Sequence, residues 1–493
     1  MATAVHQETP PTLDAVAQRY RAALTSVGSL SEWSLDGIDR LRIPVESTTW
    51  TGPGRSGAGP AVVHGVGYGA TRPAAIVGAL GETAEEVVLT AALAELPRRT
   101  DSYAALLDEV GPDGVADPLT LTLPAGSAYS PDRPITWVPT ARWSTGQRVW
   151  APIEFVAVDR GRWPAGGPEP LITPITKGLG AGDSIERAVG HALLEIIQRD
   201  GDTVSFRALD QGVVIDLAGL TDPTARRTVE QLRSAGIEPV VKLASTEFAC
   251  VVYAVGRDTA TDPPALAASA VGEAAHPDAQ TAITKALLEY VSSRARRAVF
   301  FGPAAPIRNL LPEYLAQELA LPAGNDEPRA LAAMREWAGL DHPGLRALVE
   351  PILLRETSRV AVADLPTADP AVTGTPAALL HTLLDRLSGF DVLVAAGRIG
   401  DIQAAKVIVP GLEVETLSYG RIGERVLRRL LDRGSPLVGR GDPDTPARLP
   451  IRLDQGAQQR IGGPAWLDRE AAAAALGRLY PLYREPSRHA LHR

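Results

Sequence analysis

Three stretches of the chain repeat one carboxylate-bearing pattern. ALGETAEEV carries Glu82, Glu85 and Glu86; ALLEIIQRD carries Glu195, Gln198 and Arg199; ALLEYVSSR carries Glu289, Ser292 and Arg294. Ala-Leu-x-Glu opens each match. Residues three and four apart share one face of a helix, so each set projects together. A glutamate pair on a helix is ordinarily a solvated face, but apolar residues flank these sets, which points them inward. Carboxylates gathered away from water need a counter-charge. Magnesium supplies one, because it takes carboxylates and phosphate oxygens together. Two of the sets follow glycine-rich segments, HGVGYGAT at 64–71 and KGLGAGDS at 177–184. Neither is a P-loop or a dinucleotide fingerprint. As turns before a helix they would offer backbone N–H groups and a helix N-terminus to phosphates. Together these features predict a nucleotide held through magnesium.

Strand and helix patterns must position those side chains. Apolar, β-branched runs at 149–158, 212–217, 237–243, 248–255, 358–365, 391–396 and 404–410 read as strands. Between them, helical periodicity covers 74–96, 184–200, 279–298, 326–338, 374–388 and 420–433. This alternation predicts an α/β, or mixed α+β, architecture. Residues 1–59 read as an N-terminal helix and a flexible loop, with Gly52 to Pro60 (GPGRSGAGP) as loop. Residues 60–435 read as the main domain, and 436–493 as a tail with a short Ala-rich helix at 467–478.

The composition bounds the function. The 493 residues carry 45% hydrophobic and 22% charged side chains and a net charge of −9. That is ordinary for a globular protein and unlike a nucleic-acid binder with a basic face. No apolar run reaches membrane-spanning length, and the first residues lack a signal peptide; a cytoplasmic location is expected. Cys250, the sole cysteine, lies in the apolar run FACVVYAV and reads as a core thiol. Trp137, Trp143 and Trp150 read as packing residues. His191, four residues before Glu195, shares its face and reads as a neighbour of the site. Arg398, Lys406, Arg421 and Arg425 could face a cleft or solvent, and the sequence alone does not choose.

In these motifs the chain resembles the YcaO family. ITKGLGAGDSIERAVGHALLEIIQRDG is similar to the central signature of that family, and HGVGYGATRPAAIVGALGETAEEV to the upstream one. WVPTARWSTGQRVWAP at 137–152, EAAHPDAQTAITKALLEYVSSR at 273–294 and KVIVPGLEVETLSYGRIGERVLRRLL at 406–431 follow in the family order. The resemblance implies a YcaO-like fold, with mixed sheets flanked by helices around a nucleotide cleft, and ATP and magnesium as cofactors. It also implies a reaction. A Cys, Ser or Thr side chain, or an external sulfide or amine, attacks a peptide carbonyl; ATP phosphorylates the resulting oxygen; loss of phosphate leaves an azoline, a thioamide or an amidine.

Position by position, the resemblance implies that Glu82, Glu85 and Glu195 bind the metal. Arg199 would contact phosphate, and Gln198 and Glu289 would complete the nucleotide site. Lys285 keeps a positive charge and Arg294 matches. The chain also departs from the family. Gly78 stands where Ser is usual, Glu86 where Arg is, Lys177 where Asn is, Arg187 and Gln198 where Glu is, and Ser292 where Gln is. Arg187 is expected to face the three glutamates and partly neutralise them. The final residues, LYPLYREPSRHALHR, lack the closely spaced prolines of many azoline-forming members. The function expected is Mg-ATP-dependent activation of backbone amides in maturation of a ribosomally made peptide, with azoline formation foremost. The alternative is a non-catalytic YcaO paralogue that binds peptide or supports an active enzyme. Expected partners are a precursor peptide, a leader-peptide-binding or TfuA-like protein, and a second copy in a homodimer, with neither nucleic acid nor membrane.

Overall fold

The computed structural model describes residues 11–54, 60–158, 168–173, 175–260, 263–324 and 326–493. The fold is mixed α/β, as the alternating pattern predicts. Helix α1 (Leu13–Thr25) precedes a three-stranded antiparallel sheet of β1 (Ser29–Ser34), β2 (Val45–Gly52) and β3 (Ala61–Tyr68). A six-stranded sheet runs in the order Arg99–Ser102, Pro134–Arg142, Leu393–Ile399, Ile402–Ile408, Leu179–Gly182. Its sixth strand, Arg148–Pro152, pairs with Pro134–Arg142. A five-stranded sheet runs Gly272–His276, Cys250–Asp258, Ile237–Ser245, Val213–Asp216, Ser358–Ala361, the last pair parallel. Among the described residues, no helix is long and apolar enough to cross a membrane.

Each of these sheets ends on an edge strand that leads directly into a long helix. β3 is followed by α2 (Arg72–Glu95), Leu179–Gly182 by α3 (Ile185–Asp202), and Gly272–His276 by α4 (Ala279–Phe301). The helices start where a capping side chain meets the third residue on. Thr71, Ser184 and Asp278 accept from the N–H groups of Ala74, Arg187 and Thr281. Each helix then lies against its own strand at a spacing only glycine permits. A Cβ on Gly67 would sit 1.9 Å from the Ala75 carbonyl oxygen, and one on Gly180 would sit 2.0 Å from that of Ala188. The glycines of HGVGYGAT and KGLGAGDS are therefore mostly strand residues that admit a helix backbone, rather than a phosphate-cradling turn.

Other expectations need correction. Residues 29–52, read as irregular, form β1 and β2, because their polar faces hid the strand alternation; Thr48 and Thr49 are buried in hydrogen bonds. α1 packs on α2 through Tyr20, Leu24, Leu80 and Ala84. Residues 1–10 and 55–59, and with them most of the predicted loop, lie outside the described residues. The run at 149–158 becomes a strand to Pro152 and then a helical turn, Ile153–Val156, since a continuous apolar run suits either when buried. The C-terminal tail contains a further sheet, Val438–Arg440, Ala465–Asp468 and Arg448–Pro450, whose three- and four-residue strands are too short to set a period. Its helix, Arg469–Leu476, falls where predicted.

Cys250 is fully buried, and burial pushes its thiol up to about 12. Trp137 is fully buried in the core of the six-stranded sheet, with Trp150 packed against it. Arg294 is a structural residue. Its guanidinium, 1% exposed, donates to Asp39 at 2.7 Å and to Asp258 at 2.9 Å. Removing one partner of a buried ion pair strands the other charge. Arg294→Ala is therefore expected to lower unfolding free energy by about 3–5 kcal/mol, measured by urea denaturation.

Candidate functional site

The three edge strands and their helices enclose a cavity of about 970 Å³. β3 contributes His64, Val66, Gly67 and Tyr68; Leu179–Gly182 contributes Leu179 and Ala181; Gly272–His276 contributes Glu273, Ala274 and Ala275. Every residue singled out in the sequence as binding metal or nucleotide lines it: Glu82 and Glu85 from α2, Glu195, Gln198 and Arg199 from α3, and Glu289 from α4. Glu86 lies on the same wall.

The carboxylates are oriented by the backbone of the edge strands. Glu82 accepts the Val66 N–H at 2.6 Å, and Glu195 accepts the Gly178 N–H at 2.8 Å. Glu85 bonds the backbone of Ala181, so a side chain of α2 reaches the strand that feeds α3. Glu289 on α4 accepts the Tyr68 hydroxyl at 3.1 Å, closing the ring back to β3. Burial and the charges of Glu195 and Glu82 raise the Glu85 carboxyl well above its ordinary range. Burial, with the charge of Glu273, pushes Glu289 up to about 7 against the opposing pull of Arg199 and Arg296. Glu195 goes the other way: burial would raise it, but Lys177 at 3.4 Å and Arg199 at 3.7 Å outweigh burial and hold it low.

Cations line the same cavity. Arg199 bonds Glu273, which also receives Arg207 at 2.7 Å and the Gln198 amide at 3.3 Å. Burial would raise Glu273, yet Arg199 and Arg207 bring it down to about 2, so it stays ionised. Arg296 and Arg297 of α4 face Glu485 from the C-terminal segment. Asp202 lies seven residues beyond Glu195 on the same face of α3. It is buried, and burial together with the charge of Glu273 raises its carboxyl well above its ordinary range. His191, half exposed, stands 3.6 Å from Glu85.

Several expected roles change. Arg187 borders the cavity, but its guanidinium bonds Asp183 at 3.0 Å, and the cations beside the glutamates are Lys177 and Arg199. Among the described residues, no three His, Cys, Asp or Glu side chains gather into a ready-made metal cluster. Glu82, Glu85 and Glu195 share the cavity without making a closed ligand set, because each is turned toward a backbone N–H and they repel one another. Arg398, Lys406, Arg421 and Arg425 bond elsewhere: to Gly400, to Ile175 and Lys177, to Leu121 and Thr122, and to Asp200 with Glu247. The sequence reading missed Glu273, Asp202, Arg207, Arg296, Arg297 and Glu485. Helical spacing carried a signal for two of them, since Asp202 and Arg296 each fall seven residues after a predicted site glutamate. Arg297, eight residues after Glu289 on α4, carried the same signal; Glu273, Arg207 and Glu485 come from a strand, a 3-10 turn and the C-terminal segment, where no period links them to the helices.

Residues 66–413 match the family described as YcaO cyclodehydratases, ATP- and Mg2+-binding. The chain belongs to the YcaO family. It is 27% identical over 406 residues to an uncharacterized protein of Methanothermobacter thermautotrophicus, covering 82% of this chain and 94% of that one. The structure of YcaO from Methanopyrus kandleri, bound with AMPPCP and Mg2+, superposes with a TM-score of 0.52 at 19% identity, over 83% of this chain and 91% of that one. A heterocyclase in complex with substrate and cofactor superposes at 0.60 with 15% identity, over 87% of this chain and 56% of that one. At these identities the superpositions establish the shared fold. The cavity of this YcaO chain is lined by both carboxylates and arginines, most of them carried by the three helices.

The raised Glu289 carboxyl has a consequence for stability. Its contribution is fully present below its ordinary value of 4.5 and is lost as pH rises through about 7. Glu289→Gln is expected to flatten the fall in stability between about pH 5 and 8 by about 1–2 kcal/mol, allowing for its partial exposure. Urea unfolding across that range measures the slope.

Proposed function

We propose that this YcaO protein binds Mg-ATP in the cavity and uses it to activate peptide backbone amides, with azoline formation as the foremost outcome and thioamide formation as the other. The observation that supports this reading is one cavity lined both by glutamates from two helices, Glu82, Glu85 and Glu195, and by the cations Lys177, Arg199, Arg207, Arg296 and Arg297. Phosphates fit the cations and a divalent cation fits the carboxylates. Magnesium is commonly held by one or two carboxylates with phosphate oxygens completing its shell. Carboxylates without a closed protein ligand set are therefore compatible with it. Glu82, Glu85 and Glu195 would hold the metal. Arg199 would orient phosphate, with Gln198 and Glu289 beside it. The bound nucleotide would supply a phosphoryl group that turns an amide oxygen into a leaving group.

The chain's own residues would do the rest. Backbone N–H groups of Val66 and Gly178 keep Glu82 and Glu195 aimed, so little reorganisation is needed when charge develops. The catalytic unit of this reading is residues 60–435, acting in the cytoplasm on a precursor peptide. A leader-peptide-binding or TfuA-like protein, and a second copy of the chain, are the partners it would use.

A second reading, a non-catalytic paralogue, is favoured by one observation. Lys177 lies 3.4 Å from Glu195, and Gln198 is tied to Glu273, so the protein itself satisfies part of the site. Mutation separates the two readings. Glu82→Gln and Glu195→Gln are each expected to weaken Mg-ATP binding at least tenfold in calorimetry, and to reduce ATP-dependent peptide modification by about 10²–10³ with an unchanged unfolding midpoint. Absence of Mg-ATP binding by the unmodified chain with its partners present, together with full activity of a complex carrying Glu195→Gln, would establish the paralogue instead.

A further inference from the structure

The C-terminal segment lines the cavity through Leu482, Tyr483, Arg484 and Glu485, and so brings one carboxylate to it. The segment is fixed on both sides. The Tyr483 hydroxyl accepts the Ala208 N–H at 3.0 Å, and Ser487 bonds Asp326 through its backbone and its hydroxyl. Arg488 donates to the Ser47 hydroxyl at 2.9 Å and to the Gly65 carbonyl at 3.2 Å, tying the segment to β2 and β3. Between these anchors Glu485 turns inward. Its Oε1 lies 2.9 Å from Arg297 and its Oε2 lies 3.7 Å from Arg296. Its side chain is 32% exposed, so it borders open space rather than core.

We propose that Arg296 and Arg297 form an anion subsite for a phosphate-bearing ligand, and that Glu485 is the chain's own occupant of that subsite, a carboxylate the ligand must displace. For the identity of the natural ligand this rests on the nucleotide reading above. A carboxylate and a phosphate offer arginine the same acceptor geometry. Two anions cannot share one arginine pair in a confined site without strong repulsion. Because the backbone is anchored at Tyr483, Ser487 and Arg488, exchange needs rotation of one side chain and no withdrawal of the segment. The occupant also keeps two cations of α4 compensated while no ligand is present. It sets a threshold for entry: a polyphosphate brings enough charge to displace a carboxylate, and a monoanion does not.

Inorganic pyrophosphate tests this by calorimetry on the full chain, with divalent cations chelated so that only the cationic side chains are probed. Glu485→Gln is expected to bind pyrophosphate about tenfold more tightly than the unmodified chain. Glu485→Ser removes the charge by a second route and is expected to show the same gain. Glu485→Asp keeps the charge and should stay near the original affinity. Adding Arg297→Gln to Glu485→Gln should cancel the gain. Unchanged or weaker binding by both neutral variants, or no binding by any of the proteins, overturns the proposal. Mg-ATP titrations run alongside separate the two readings. Mg-ATP binding without a pyrophosphate difference counts against the Glu485 subsite alone, and a pyrophosphate gain without Mg-ATP binding counts against the nucleotide reading alone.

Discussion

Glu82, Glu85 and Glu195 reach one cavity from two helices, and their mutual repulsion is the constraint around which the rest of the molecule is arranged. Side chains of like charge at close quarters stay in place only if something else holds them. Here backbone N–H groups do so: Val66 for Glu82, Ala181 for Glu85 and Gly178 for Glu195. Val66 and Ala181 can donate because their strands are sheet edges, whose outward N–H groups have no partner strand, and Gly178 is in the turn just before the second of those strands. An interior strand would have spent the same groups on its neighbours.

The edge position explains the glycines. A carboxylate on a helix reaches the N–H of the strand beside it only if helix and strand lie unusually close. Gly67 and Gly180 allow that approach, since a Cβ at either would overlap a helix carbonyl. Gly272 does the same for α4, where a Cβ would sit 2.1 Å from the Tyr290 nitrogen. The same unit, edge strand, cap and helix, recurs in three different sheets and closes on itself when Glu289 meets Tyr68. The cavity is the space that three such units leave between them.

Charge then divides that space. Glu85 and Glu289 are raised by burial and by neighbouring carboxylates, whereas Glu195 and Glu273 are held low by Lys177, Arg199 and Arg207. Arg199 belongs to both groups, since it lies near Glu195 and bonds Glu273. It links the glutamates of the cavity to its guanidinium groups. Two of the substitutions that distinguish this chain from the family pattern lie beside it: Gln198 donates to Glu273, and Lys177 sits against Glu195.

The sequence by itself determined what local periodicity and motif order can carry. Helices α2, α3 and α4 and seven of the strands, though none of the three edge strands beside the cavity, follow from periodicity along single elements, which is a local property; motif order carries the YcaO resemblance, and the resemblance implies the six residues expected around the nucleotide. It did not determine what depends on the approach of distant segments. Arg294 matches a motif yet neutralises Asp39 and Asp258 in the core. Arg187 stands at a motif position yet bonds Asp183. Glu273 and Glu485 enter the cavity from a strand and from the C-terminal segment, 78 and 290 positions after Glu195 in the chain. Which backbone N–H orients each carboxylate, and which cation balances it, was decided only by tertiary structure, because hydrogen bonds and ion pairs act over a few ångströms in space while the sequence records only distance along the chain.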